Sequence, residues 1–263
     1  MVEVIIVDSA EQNKSPRHIR WRWIILAIVL LLLLAVGGFV LWVSTPVGDL
    51  MPEALTALES DEQVNVTQRG WIAFVPLNAP PTAGIVFYPG LRIQAEAYAP
   101  LARRIAEEGY LATIVYAPLN LAIFDSDAAK AVIENFSAVD TWVVGGHSFG
   151  ATVAARFVTD NLAIVDGLFF MAAAPSGDAL ASTNMPIMLL YGTNDGRASV
   201  DNILQSEANL PSTARFMAIE GGSHSQFAYY GLQSGDNEAT ISHDEQMTQT
   251  AAALIALLDS LTR

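Results

Sequence analysis

The 263-residue sequence predicts an α/β fold, with a mostly parallel central sheet covered by helices on both faces and one N-terminal transmembrane helix before it. Two observations support this prediction. A long uncharged apolar run lies near the start of the chain. After it, short apolar runs alternate with stretches of helical spacing, a pattern typical of buried parallel strands joined by amphipathic helices.

The apolar run extends from Ile24 to Val43 and contains no charged residue. About 20 such residues are enough to cross the ~30 Å hydrocarbon core of a bilayer as a helix. A buried core helix and a cleaved signal peptide are the alternatives. The apolar part of a signal peptide has only about 7–15 residues and ends at a small-residue cleavage site, which the following STPVGDLMPEAL does not offer. We therefore predict an uncleaved signal anchor at 21–44.

The charges on either side of this run predict its orientation. Four basic residues precede it: Lys14, Arg17, Arg20 and Arg22. The segment after it carries only acidic charges as far as Arg69. Basic residues favour the cytoplasmic side of a membrane. We therefore expect a cytoplasmic tail at 1–20, a tether at 45–62 and an extracytoplasmic domain at 63–263, in a single-pass protein of the cell membrane.

Composition narrows the classes of partner. The formal net charge is −14, and an acidic surface argues against binding nucleic acid through a basic patch. The chain contains no cysteine, so disulfides, thiolate catalysis and cysteine-based zinc sites are excluded. We expect no cofactor and no metal, and the oligomeric state stays open.

The expected elements follow one another in a regular order. Strands are predicted at 71–77, 84–88, 111–116, 141–146, 167–173, 186–192 and 214–221. Helical spacing is found at 52–58, 95–109, 126–136, 149–160 and 242–261. About a dozen residues separate the strands at 167–173 and 186–192, which leaves no room for a lid domain. The mouth of an active site at this edge should therefore be open.

A G-x-S-x-G pattern, Gly146 to Gly150, lies between a predicted strand and a predicted helix. The five letters alone recur by chance, but this context is the one in which such a turn exposes a serine nucleophile. The flanking glycines leave room for a sharp strand-to-helix turn. Ser148 would then lie at a helix N-terminus, where the backbone favours a developing negative charge.

A serine hydroxyl needs a base to accept its proton, and the chain has four histidines. His18 precedes the membrane span, His147 lies inside the turn and should point away from Ser148, and His243 should be solvated at the start of the last helix. His224 follows the last predicted strand on a glycine-rich loop. It is our candidate base.

The base in turn needs a carboxylate that fixes its tautomer. Asp195 lies three residues beyond Gly192, just past the end of a predicted strand, and Asp178 is the fallback. An oxyanion hole requires two backbone N–H groups. We expect one from Phe149, directly after the serine, and one from Leu91, which follows the Pro-Gly turn after an early strand.

With these motifs the sequence resembles the α/β-hydrolase superfamily and, more narrowly, its small lidless branch, α/β-hydrolase fold-5. The shared segments are FYPGLRIQAEAYAPLARRIAEEGY, YAPLNLAIF, GGHSFGATVAARF, YGTNDG and EGGSHSQFAYYGLQSGD, within residues 84 to 250. The resemblance implies the α/β-hydrolase fold for 63–263. It also implies a Ser148, Asp195, His224 triad with Leu91 and Phe149 as oxyanion donors. Ala228 departs from the family, in which a glycine is expected.

The resulting prediction is a membrane-anchored serine hydrolase that acts on a small-molecule ester or thioester and does not bind nucleic acid. Three aromatic residues after His224 either line an acyl pocket or belong to the core: Phe227, Tyr229 and Tyr230. The alternatives are a non-catalytic binding or scaffold domain and an acyltransferase on the same fold. A haloperoxidase-like side reaction is a further possibility.

Overall fold

The computed structural model describes residues 21–262, and the chain divides into two compact units between Trp42 and Val43. The first unit contains most of helix α1 (Trp21–Ser44). At 1.5 Å per residue its 24 residues extend about 36 Å. The helix is long and apolar enough to cross a membrane, as the sequence predicts. The expected cytoplasmic tail and His18 lie outside the described residues.

The second unit contains an eight-stranded sheet in the order β1-β2-β4-β3-β5-β6-β7-β8. Strands β1 and β2, and β2 and β4, pair antiparallel, and all other neighbours pair parallel. The strands are β1 (Val64–Gln68), β2 (Trp71–Pro76), β3 (Ala83–Tyr88), β4 (Leu111–Val115), β5 (Thr141–His147), β6 (Gly167–Met171), β7 (Ile187–Gly192) and β8 (Arg215–Ile219). The predicted mostly parallel sheet is confirmed.

Six helices accompany the sheet: α2 (Pro52–Thr56), α3 (Ala99–Glu107), α4 (Ala128–Asn135), α5 (Phe149–Asp160), α6 (Val200–Gln205) and α7 (His243–Thr262). They bury the two faces of the sheet in two separate cores. In β3, Ile85 and Phe87 pack in the core that includes residues of α3 and α7. The intervening Val86 and Tyr88 pack in the core that includes residues of α4 and α5. Helices on both faces explain why the central strands are apolar without alternation.

One strand was not predicted. In β1 only Val64 is fully buried, and the remaining residues are mostly exposed and polar. The strand lies at the edge of the sheet and pairs only with β2. An edge strand with one buried side chain has no apolar run to indicate it.

The segment between α1 and β1 is held on the domain. Val43, Ala54 and Ala57 are buried. From α3, Arg103 donates to the carbonyl of Ala57 at 2.9 Å and pairs with Asp61 at 2.7 Å. These contacts fix the course of the chain between the apolar helix and the sheet.

Candidate active site

Four of the parallel strands end at one edge of the sheet, and each is followed by a loop that carries a predicted site residue. Leu91 follows β3, Ser148 follows β5, Asp195 follows β7 and His224 follows β8. Because parallel strands share a carboxyl edge, residues far apart in sequence are gathered there.

The turn at Ser148 is as tight as its glycines suggest. Ser148 has φ 53° and ψ −124°, a strained conformation for a residue with a side chain. A methyl carbon at Gly146 would lie 2.5 Å from the carbonyl oxygen of Tyr88, and one at Gly150 would lie 2.3 Å from that of Pro89. Neither position tolerates a side chain. The loop after β3 is therefore packed directly against the serine turn.

Asp195 and His224 are brought together. The Nδ1 atom of His224 lies 2.9 Å from Oδ2 of Asp195, and both side chains are almost completely buried. The other carboxylate oxygen accepts the amides of Arg197 and Ala198, each at 2.7 Å. Since a carboxylate can only accept, Nδ1 of His224 carries the hydrogen and Nε2 of the neutral ring is left as an acceptor.

Ser148 directly follows His147, whose ring packs against that of His224. Its side chain is half-buried, and the ring of the preceding His147 lies 4.6 Å from the His224 ring, centroid to centroid. Within the described part of the chain, Ser148 Oγ and His224 are not joined by a hydrogen bond. Catalytic hydrogen bonds in unliganded sites are often long and tighten when substrate binds.

His147 is fully buried and contacts the hydroxyl of Tyr98. Burial and the neighbouring His224 hold the pKa of His147 well below its ordinary value. The hydroxyl of Tyr98 accepts the amide of Gly90 at 2.9 Å and lies 2.9 Å from Nδ1 of His147. The Tyr98 hydroxyl can accept from Gly90 and at the same time donate its one hydrogen to Nδ1 of His147. This chain of hydrogen bonds links the loop that carries Leu91 to the serine turn.

The two predicted oxyanion donors are unengaged. Within residues 21–262 neither the Leu91 amide nor the Phe149 amide donates a hydrogen bond. Phe149 is the first residue of α5, so its N–H belongs to the positive end of a 12-residue helix. Both groups are available for an oxygen that acquires negative charge.

Asp236 contacts the loops of the candidate site, a position that the sequence did not suggest. Its Oδ2 accepts the amide of Ser225 at 2.7 Å and the hydroxyl of Ser225 at 2.6 Å, and its Oδ1 accepts the amide of Gly196 at 2.9 Å. Although burial alone would raise the pKa of Asp236, these hydrogen bonds hold it below its ordinary value. Asp236 thus fastens the residue after Asp195 to the residue after His224. Its only sequence signal was its place in the family-like segment EGGSHSQFAYYGLQSGD.

The positions of Asp178 and His243 bear on two expectations from the sequence. Asp178, the fallback carboxylate, is exposed in the β6–β7 loop, and His224 pairs with Asp195. The expectation that His243 is solvated was wrong. It is half-buried and stacked on Tyr229, with ring centroids 3.9 Å apart, and burial lowers its pKa to about 4.

The segment after His224 belongs to the core. Phe227, Tyr229 and Tyr230 are all buried and pack with α7, so they do not line an acyl pocket. Ala228, where a glycine was expected, has φ −156° and ψ 162°. Alanine adopts this extended conformation without strain. The departure from the family pattern therefore has no cost for the backbone.

A cavity of about 580 Å³ begins next to the serine turn, at Phe149, and follows one side of α5. Its other wall comes from the loop after β6, including Pro175 and Leu180, and from Ile123. Ser148 does not itself line this cavity. Among residues 21–262 no group of three or more His, Asp or Glu side chains is placed to hold a metal ion.

Comparison with known proteins places the chain in a family. Residues 84–248 match the model of a family described as the alpha/beta hydrolase family. This segment contains all five predicted site residues. No curated protein sequence matches the chain.

Solved structures share the fold at low sequence identity. A protein from Thermus thermophilus has a TM-score of 0.55 and 16% identity, over 76% of this chain and 98% of its own. A predicted CIB-like hydrolase from Thermoplasma acidophilum has a TM-score of 0.53 and 15% identity, over 74% and 98%. The alpha/beta hydrolase enzyme MGS-MChE2, from a metagenome of Mar Chica lagoon sediments in Morocco, has a TM-score of 0.50 and 17% identity, over 61% and 89%.

Proposed function

Because the chain belongs to the alpha/beta hydrolase family, we propose that it is a serine hydrolase that cleaves carboxylic esters or thioesters through Ser148, His224 and Asp195. The observation that carries the proposal is the 2.9 Å contact of His224 Nδ1 with the buried carboxylate of Asp195. Ser148 occupies the strained turn that such nucleophiles require, and the ring of the preceding His147 lies 4.6 Å from that of His224. A binding domain does not require a histidine–aspartate pair together with a serine in such a turn.

In the first half of the reaction, Ser148 Oγ attacks the carbonyl carbon while its proton passes to Nε2 of His224. The carbonyl oxygen becomes an oxyanion, which the amides of Leu91 and Phe149 stabilise. Asp195 stabilises the imidazolium. The tetrahedral intermediate then expels the alcohol or thiol, which takes the proton from His224 and leaves an acyl group on Ser148.

In the second half, His224 accepts a proton from water as the water oxygen attacks the acyl carbon. The same two amides hold the second oxyanion. When this intermediate breaks down, Ser148 leaves as the alkoxide and regains its proton from His224, and the carboxylic acid departs. We favour esters and thioesters over peptides because the sequence gives no indication of an extended peptide cleft.

We also propose that α1 anchors the chain in the cell membrane, with the N-terminus in the cytoplasm. The apolar helix Trp21–Ser44 and the basic residues before it in the sequence support this orientation. Protease added outside intact cells should then digest the domain beyond Ser44 and spare the first 20 residues. Complete protection of the domain would contradict the orientation.

The activity is tested with the full chain in detergent and p-nitrophenyl acetate as substrate. We expect turnover by the native protein and a loss of at least ~10³-fold in Ser148→Ala and in His224→Ala. Ser212→Ala, which removes an exposed serine away from the catalytic edge, is the matched control and should retain native turnover. Equal turnover in Ser148→Ala and the native protein would contradict the proposal.

A further inference from the structure

The residues at which the chain leaves the apolar helix are hydrogen-bonded to the catalytic edge of the domain. Helix α1 ends at Ser44. The carbonyl of Thr45, the next residue, accepts Nε of Arg92 at 2.8 Å, and the amide of Val47 donates to the carbonyl of Arg92 at 2.8 Å. Arg92 directly follows Leu91, one of the two proposed oxyanion donors. The chain is therefore fixed beside the active site as soon as it leaves the apolar helix.

A second loop joins this attachment. The side-chain amide of Asn120 donates to the carbonyl of Ser44 at 3.3 Å, and the backbone carbonyl of Asn120 accepts the amide of Arg92 at 2.9 Å. Farther along, the amide of Met51 donates to the carbonyl of Tyr229 at 3.1 Å. The segment thus crosses from the loop of Leu91 to the loop that follows His224.

Chain length alone then limits the distance between the catalytic edge and a membrane. One residue spans at most about 3.5 Å, and Thr45 is a single residue beyond the end of α1. If α1 spans a bilayer, the loop of Leu91 must lie at the bilayer surface. The conclusion does not depend on the side of the membrane that the domain occupies.

The same edge carries an apolar patch, formed by Leu119, Ile123 and Phe124. Their side chains are 42%, 51% and 54% exposed. Leu119 and Asn120 both have left-handed backbone conformations, with φ 53° and 56°. Such strain in residues other than glycine persists only where the surroundings impose it, and it is concentrated at functional sites. Here it presents an apolar side chain next to the attachment point of α1.

The patch leads to the active site. Ile123 belongs both to the patch and to the wall of the cavity that begins at Phe149. The buried apolar residues Val153 and Leu180 also line this cavity. Polar residues, among them Thr152, Arg156 and Asp160, also line the cavity. A hydrocarbon chain that enters past the patch would contact the apolar lining residues on its way to Phe149, the residue next to Ser148.

We propose that the patch rests on the bilayer that holds α1 and that the substrate enters the cavity from this bilayer. The substrate class is then a carboxylic ester or thioester with a long hydrocarbon chain. The net charge of −14 does not favour electrostatic adsorption to anionic lipids, so the contact rests on apolar burial. This inference depends on the proposed hydrolase activity and membrane anchor.

The test uses the full chain reconstituted in phosphatidylcholine vesicles with two substrates, p-nitrophenyl palmitate in the bilayer and p-nitrophenyl acetate in solution. The measured quantity is the ratio of the two turnover rates. We expect the double variant Leu119→Ser and Phe124→Ser to lower this ratio at least tenfold. An unchanged ratio would overturn the inference.

The matched control is the double variant Leu77→Ser and Leu162→Ser. These leucines are 55% and 47% exposed. Leu77 follows β2, which runs antiparallel to β4 and so ends at the edge opposite the catalytic one. Leu162 follows α5, which starts at the catalytic edge and so also ends at the opposite edge. In this control, the ratio of the two turnover rates should stay within about twofold of the native value. A tenfold loss in the control as well would overturn the inference.

A second measurement does not depend on turnover. Because the chain has no cysteine, Phe124→Cys and Leu77→Cys each provide a single labelling site for an environment-sensitive dye. With brominated lipids in the vesicles, the dye at position 124 should be quenched and the dye at position 77 should not. Equal quenching at the two positions would overturn the inference, whereas absent hydrolysis of p-nitrophenyl acetate by the native chain would refute the proposed function instead.

Discussion

His224 is hydrogen-bonded through Nδ1 to Oδ2 of Asp195 at 2.9 Å, with the aspartate side chain fully removed from solvent. This contact fixes the tautomer of the histidine and leaves Nε2 to accept a proton. In the proposed reaction, the proton comes from Ser148.

Asp195→Asn tests this relationship. The asparagine oxygen keeps the amides of Arg197 and Ala198, while its NH₂ group faces His224 and forces the histidine hydrogen onto Nε2. We expect kcat for p-nitrophenyl acetate to fall about 10³-fold or more. Asp178→Asn, at an exposed loop position, is the control and should leave kcat unchanged. Near-native kcat in Asp195→Asn would show that another carboxylate orients the base.

Tyr98→Phe removes the hydroxyl that joins Gly90 to His147. Tyr98 is buried, so its loss leaves two buried polar groups without a partner. Each costs about 1–3 kcal/mol, and we expect the free energy of unfolding to fall by about 3 kcal/mol. Since Gly90 precedes Leu91, kcat should also fall, by about tenfold. The half-buried Tyr116→Phe should change neither quantity by as much, and equal effects of the two substitutions would contradict the role of Tyr98.

Asp236→Asn tests the bridge between the Asp195 and His224 loops. Replacing Oδ2 with an NH₂ group places a donor against the amide and hydroxyl of Ser225. The loops should lose their common anchor, and we expect kcat to fall about 10- to 100-fold while KM changes less than threefold. Asp201→Asn, on the exposed first turn of α6, is the matched control. A change confined to thermal stability would show that Asp236 does not position the site.

The lowered pKa of His243 predicts that the free energy of unfolding depends on pH. Its pKa is about 4 in the folded chain, lowered by burial, against 6.5 ordinarily. Between pH 4 and pH 6.5 the unfolded chain therefore binds more protons than the folded chain. The stability that neutral His243 contributes is complete above pH 6.5 and is lost as the pH falls towards 4. At pH 4.5 the loss should be about 2 kcal/mol.

His243→Phe keeps a ring against Tyr229 but cannot take up a proton. Between pH 7.5 and 4.5 in detergent, the Tm of the native chain should fall about 4–8 °C more than that of the variant. Parallel Tm curves would contradict this assignment. His147 is present in both proteins, so its own titration cancels in the comparison.

Much of the fold could be predicted from the sequence because the central strands are buried on both faces and therefore read as apolar runs. Helix α5 begins and ends at the predicted residues, Phe149 and Asp160, because the serine turn fixes its start. Strand β1 could not be predicted, since an edge strand with only Val64 fully buried has no periodic pattern.

The residues of the candidate site that directly follow strand ends could be predicted from the sequence. Asp195 and His224 follow β7 and β8 closely, and the parallel sheet brings them together. Asp236 lies on a loop twelve residues after His224, and its role comes from tertiary hydrogen bonds that no local pattern specifies. The half-buried stack of His243 on Tyr229 likewise depends on how α7 packs.

The most direct test of the account is labelling of the full chain with a fluorophosphonate probe, followed by mass spectrometry of the labelled peptide. The probe reacts covalently with an activated serine. We predict that the native chain is labelled at Ser148, that labelling is lost in Ser148→Ala and that it falls strongly in His224→Ala. A native chain that is not labelled, or is labelled at another serine, would contradict the assignment of Ser148 as the nucleophile.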